Sequence, residues 1–142
     1  MKPWRVVLDT NVVVAALRSD QGASYQILML LGGNEIKMCV TVSLAMEYEA
    51  AAMRLIGKTA LTRRDIGDVL DYLCSQANRQ KVHFLWRPFL NDPDDDMVLE
   101  AAVASGAKHI VTHNTRDFAG VEKFGIRVLK PGAFLTAVRR RK

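Results

Sequence analysis

Cysteine is nearly absent from this chain. Cys39 and Cys74 are its only two. They stand far apart, without CxxC spacing or a nearby histidine, which argues against a structural disulfide or zinc site and for reduced thiols in a cytoplasmic protein. Long apolar runs are missing as well: none approaches the ~20 residues needed to span a bilayer, so no membrane association is expected. The start, MKPWRVVLDTN, carries a charge inside its short apolar stretch and lacks a small-residue cleavage site, unlike a signal peptide. Repeats, low-complexity tracts and linkers are lacking too. The 142 residues therefore read as one domain (1–142), long enough to bury a core, with a short basic C-terminal tail. Acids are the minority charge, 15 Asp and Glu against 20 Lys and Arg, for a net charge of +5. A basic balance with Arg139, Arg140, Arg141 and Lys142 at the end suits a polyanion such as nucleic acid; a charged tail also serves plain solubility.

What is present alternates short β-rich runs with longer helical ones. Strands are expected at residues 5–9 (RVVLD), 36–42 (IKMCVTV), 82–86, 109–112 (HIVT) and 127–129. Helices are expected at residues 10–17, 24–31, 43–56 with Ser43 as cap, 62–78, 93–105 closed by Gly106, and 133–138. Such alternation implies an α/β domain with a mainly parallel sheet of four to five strands between helical layers. Ligands then bind beyond the C-terminal ends of the strands. The acids fall at such ends: Asp9 closes the first strand, Glu47 is placed in the first turn after the second, and Asp117 follows HIVT by five residues.

Taken alone, Asp9 reads first as an N-cap for a helix starting at Thr10 or Asn11. Glu47 flanks an apolar stripe of Leu44, Tyr48, Ala51 and Leu55, whereas Glu49 points away from it. Asp117 in THNTRDF could be turn chemistry, and His113 is left aside as an incidental loop histidine.

The stretch NDPDDDMVLE crowds four aspartates into five positions. Asp92-Pro93 reads as N-cap then first helical residue, with Asp95 placed to reach back in a capping box. A calcium loop would need Gly where Met97 stands and Glu where Val103 stands, so that reading fails. From Asp95, helical steps land on Val98, Leu99, Ala102 and Val103, the core-facing stripe. Asp94 and Asp96 lie about 100° to either side and are expected to face outward or to back the site.

Carboxylates gathered in one cleft repel unless a cation joins them. Mg²⁺ and Mn²⁺ suit oxygen donors, and a pair of such ions ~4 Å apart can assist in-line displacement at phosphorus. The residue types thus fit a metal-dependent phosphodiesterase acting on nucleic acid.

Four segments, VVLDTNVVVAAL, SLAMEYEAAAMR, NDPDDDMVLEAAVASGAKHIVTHNTRDF and RVLKPGAFL, together resemble the PIN-domain family over nearly the whole chain. They look nearest to its VapC-type ribonucleases, the toxins of toxin–antitoxin pairs. The resemblance implies a three-layer α/β/α nuclease that hydrolyses RNA with Mg²⁺ or Mn²⁺, restrained by a cognate antitoxin, and a homodimer in the manner of many relatives. Position by position, it implies Asp9, Glu47, Asp95 and Asp117 as catalytic, metal-holding acids. Asn11, Asp92 and Asn114 are implied as auxiliaries, with Asn114 standing where many relatives carry an acid. Basic residues, the tail among them, would hold the RNA backbone. A haloacid-dehalogenase-like phosphatase would need Asp where Asn11 stands and its paired acids after Thr112, so the order excludes it. The remaining alternative is a non-catalytic PIN-like module that binds RNA or protein.

Overall fold

The structure is a computed structural model that describes residues 2–80 and 89–141. Five strands form one parallel sheet: β1 (Trp4–Leu8), β2 (Ile36–Thr41), β3 (Asn78–Gln80), β4 (His109–Val111) and β5 (Arg127–Leu129), in the order β3-β2-β1-β4-β5. Among the described residues six α-helices accompany them: α1 (Thr10–Arg18), α2 (Ala23–Met29), α3 (Val42–Met53), α4 (Arg63–Gln76), α5 (Pro93–Ser105) and α6 (Pro131–Arg140). No helix among the described residues is long and apolar enough to cross a membrane.

The three-layer arrangement follows from β1. Successive strand residues point to opposite faces, yet Val6, Val7 and Leu8 are all fully buried, so helices cover both sides. Arg5 reaches the C-terminal end of α5, its guanidinium donating to the Ser105 carbonyl at 2.6 Å. Its neighbour Trp4 stacks on His109 and tilts against Phe134 of α6. Adjacent residues reaching different helices place α5 on one face and α6 on the other. Cross-strand register aligns Val6 with both Met38 and His109, locking β1 at the centre.

Several expected boundaries shift. The cap of α3 is Thr41, whose hydroxyl accepts from the Leu44 N–H at 3.2 Å, rather than Ser43. The helix thus starts at Val42 and Glu47 falls in its second turn rather than its first. Asn78, expected to end a helix, instead opens β3, because α4 stops at Gln76 and the chain turns extended at Ala77. The strand expected at 82–86 lies outside the described residues. Helix α4 carries a reciprocal capping box between Thr62 and Asp65; α5 does not. There Asp92 caps alone, accepting from the Asp94 N–H at 2.9 Å, and Asp95 makes no return bond to the cap.

Asp96 corrects a further expectation. It is buried rather than outward-facing, at 8% exposure. Its Oδ1 accepts from the backbone N–H groups of Leu90 (3.0 Å) and Phe89 (3.3 Å), tying the incoming chain to the first turn of α5. A buried carboxylate is tolerated because those donors replace water.

Candidate active site

Strand order reverses its sense at β1 and β4: the chain builds outward from β1 through β2 to β3, then returns to the other side of β1 with β4. In a parallel α/β sheet the crevice beyond the C-terminal ends at such a point is where ligands bind. Asp9 and Thr112 are the first residues past those two ends. Parallel pairing extends one step beyond the strands, with the Asp9 N–H donating to the Val111 carbonyl at 2.8 Å.

Asp9 is held on both oxygens. Its Oδ1 accepts from the Thr10 N–H at 2.7 Å, so it does cap α1, and its Oδ2 accepts from the Thr112 hydroxyl at 2.6 Å. The cap and the strand-end site are therefore one residue in one conformation. Thr112 is fully buried and serves as a hub. Its oxygen also accepts from the Asn114 N–H at 3.0 Å and lies 3.4 Å from the donating Asn11 amide. Asn11 in turn accepts the His113 N–H at 3.3 Å, so it ties the loop after β4 to α1. Sequence reasoning passed over Thr112, since a threonine at a strand end signals nothing by itself. His113, set aside earlier, contacts Ser24 through its ring at 3.3 Å.

One cleft of about 710 Å³ is lined by Asp9, Asn11, Glu47, Asp92, Asp95, Asn114 and Asp117 together. All seven sequence-selected positions meet there, brought from α1, α3, α5 and the turn after β4. Asp117 rides a short 3-10 turn (Thr115–Phe118) anchored by the fully buried Phe118. Tyr48, one residue past Glu47, donates its hydroxyl to the Leu8 carbonyl and so pins α3 to the end of β1. Burial holds that phenol well above its usual pKa.

Gathered in one cleft, these acids act on one another. Burial raises the Asp9 pKa, opposed by the Thr112 and Thr10 hydrogen bonds and reinforced by Asp117. Asp95 is pushed to about 7, first by burial and then by repulsion from Asp9, Asp92, Asp117 and Asp94. Among the described residues no cation of the chain pairs with these carboxylates. An excess of negative charge left to oxygen donors fits a hard divalent cation. No group of three acidic, histidine or cysteine side chains among the described residues could hold an ion unaided. A cation here would accordingly keep part of its water shell, as Mg²⁺ does with one or two carboxylates.

Among the described residues of the basic tail, none lines this cleft. Arg141 donates to the Glu35 carbonyl at 3.2 Å and to the Lys2 carbonyl, and its guanidinium lies 4.7 Å from the Trp4 ring centroid. Those partners mark the N-terminal edge of the sheet, about 16 Å of strand away from Asp9. The arginines that do line the cleft, Arg18 and Arg54, were not selected from the sequence.

A family profile described as PIN domain matches residues 5–116. No curated protein sequence matches. Among solved structures, VapBC2 from Rickettsia felis, bound to a DNA fragment from the promoter, is similar with a TM-score of 0.53 and 16% identity. The match covers 87% of this chain and 96% of that one, and at this identity it speaks for the fold.

Proposed function

The chain belongs to the PIN-domain family, and from that premise we propose that it is a metal-dependent endoribonuclease hydrolysing RNA phosphodiester bonds in the cleft around Asp9. The observation that carries the reading is the convergence of Asp9, Glu47, Asp95 and Asp117 at the β1–β4 crevice, where none of them forms an ion pair among the described residues. Mg²⁺ or Mn²⁺ would offset charge developing at phosphorus and ease deprotonation of an attacking water.

Asp9, fixed by two hydrogen bonds, and Asp95, which lines the same cleft, are assigned to hold the cation directly, with Glu47 from α3 and Asp117 reaching it through the waters it keeps. Thr112 and Asn11 orient Asp9 and the loop that presents Asn114. Asn114 brings a neutral amide where a further acid would add charge. We extend the proposal to a cognate antitoxin partner, because the similar Rickettsia felis protein is named as a VapBC pair.

The test is incubation of generic RNA with Mn²⁺ or Mg²⁺ and the purified protein. Cleavage that disappears in Asp9→Asn and Asp95→Asn supports the assignment; undiminished cleavage in both variants sinks it. Asn114 is the one feature that favours a non-catalytic RNA-binding role. RNA binding without cleavage under every divalent cation tried would select that reading.

A further inference from the structure

The cleft carries charge of both signs, kept apart. Its α1 wall is formed by Thr10, Asn11, Val14, Ala15 and Arg18, and its α3 wall by Glu47, Ala51 and Arg54. Each set recurs at steps of three and four and so lies on one helix face. The cleft is thus a groove along packed α1 and α3, with acids at one end and two arginines at the other. From Asn11 to Arg18 and from Glu47 to Arg54 is seven residues each, two helical turns, or ~10 Å.

Arg18 is the last residue of α1 and Arg54 caps the C-terminus of α3. The simplest role for a cation there is to offset the negative end of the helix dipole. That role leaves the location on one shared groove unexplained. Neither guanidinium makes a hydrogen bond or ion pair among the described residues. On the far side of the acids a second recess of about 290 Å³ shares Asp92, Asp95 and Asp117 with the groove and is lined by Arg116. Arg116 likewise has no side-chain partner among the described residues. The acids therefore stand between two arms, each ending in unpaired guanidinium.

Resting on the ribonuclease reading, we propose that Arg18 and Arg54 on one side and Arg116 on the other bind the RNA backbone and draw it over the acids. A single strand would run along the α1–α3 groove. At the ~3.4 Å rise of a stacked strand, ~10 Å separates the acids from Arg18 and Arg54 by about three phosphates. Guanidinium suits this task because its planar fork engages phosphate oxygens in pairs, and without it the two helix C-termini would repel the strand. These are positioning residues: they touch the backbone away from the scissile bond.

The experiment pairs steady-state cleavage of a labelled single-stranded RNA with its binding by fluorescence anisotropy in the Asp95→Asn background. We expect Arg18→Gln and Arg54→Gln each to weaken binding and raise KM about tenfold, with kcat changed less than twofold. Each should also lower the slope of log Kd against log salt by about 0.7, and Arg116→Gln should act alike. Arg18→Lys should restore part of the affinity, and Arg140→Gln in the tail should change neither quantity. Unchanged binding, KM and salt slope in all three glutamine variants overturns the proposal, as does a loss confined to kcat. The two readings fail separately. RNA bound through these arginines but not cleaved refutes the nuclease and keeps the track, whereas cleavage indifferent to them refutes the track alone.

Discussion

Replacing Thr112 with valine removes one hydroxyl from a fully buried position and leaves the side-chain outline nearly intact. Three interactions go with it: the 2.6 Å bond donated to Asp9, the 3.0 Å bond accepted from the Asn114 N–H, and the weaker 3.4 Å contact with Asn11. The first matters most, because Asp9 is only 8% exposed and little water can replace the donor. A lost hydrogen bond to a buried charged group costs about 1.5–3 kcal/mol. Asn114 is exposed, so its freed N–H finds water, and the added methyl recovers under about 1 kcal/mol. The net expectation is about 1–2 kcal/mol of destabilisation. For a chain of 142 residues this lowers Tm by roughly 3–8 °C. Thr112→Ser keeps the hydroxyl and loses one methyl, costing about 1 kcal/mol. Differential scanning calorimetry of the metal-free proteins reads both, and the Asp9→Asn/Thr112→Val double variant reads their coupling, expected at about 1–2 kcal/mol. Because the Thr112 bond lowers the Asp9 pKa, Thr112→Val should also weaken Mn²⁺ binding more at pH 6 than at pH 8. Equal melting of Thr112→Val and Thr112→Ser, with no coupling to Asp9, would refute the hub.

Asp95 holds its proton up to about pH 7 in the fold and only to 3.8 when unfolded, so the Asp95 contribution to the stability of the metal-free protein should be lost as pH rises from about 4 to 7. Mn²⁺ affinity, measured by calorimetric titration, should accordingly weaken by up to tenfold per unit as pH falls below about 7, and Asp95→Asn should remove that dependence while melting no lower than the parent at pH 8 without metal. Asp96→Ala deprives the Leu90 and Phe89 N–H groups of their acceptor and should cost about 2–3 kcal/mol in urea unfolding, yet leave the Mn²⁺-induced rise in Tm in place. His109 is buried with neither ring nitrogen bonded among the described residues, and burial, Arg127 and Arg141 hold its pKa down. Below about pH 6.5 the unfolded chain takes up a proton the fold resists, so the His109 contribution to stability should fall with pH by up to ~1.4 kcal/mol per unit, opposing the Asp95 contribution in the same range. His109→Phe should flatten that part of the pH–stability curve.

Local structure was legible where it depends on near neighbours. The apolar run of β1, the period of α4 and the Asp92-Pro93 start of α5 all act within one or two turns, and the structure has each of them. Misreadings were local as well. Thr41 and Ser43 can each cap a helix, and which one does depends on where β2 releases its pairing with β3. The convergence of acids could be anticipated because each lies at an element boundary and a parallel sheet collects such boundaries at one edge.

Contacts between distant segments were beyond the reach of pattern reading. A helical wheel places Asp96 beside the stripe, but its burial comes from residues 89 and 90 folding back onto it. Thr112 bonds a residue 103 positions away, and only the adjacency of β1 and β4 in the strand order makes that possible. Arg18 and Arg54 share a groove because α1 packs on α3, and the tail's arginines leave the site because α6 runs back to the opposite edge. The physical reason is common to all of them. Period and capping are set by interactions a few residues apart, whereas which charge meets which is set by strand order and helix packing, where sequence separation carries no weight.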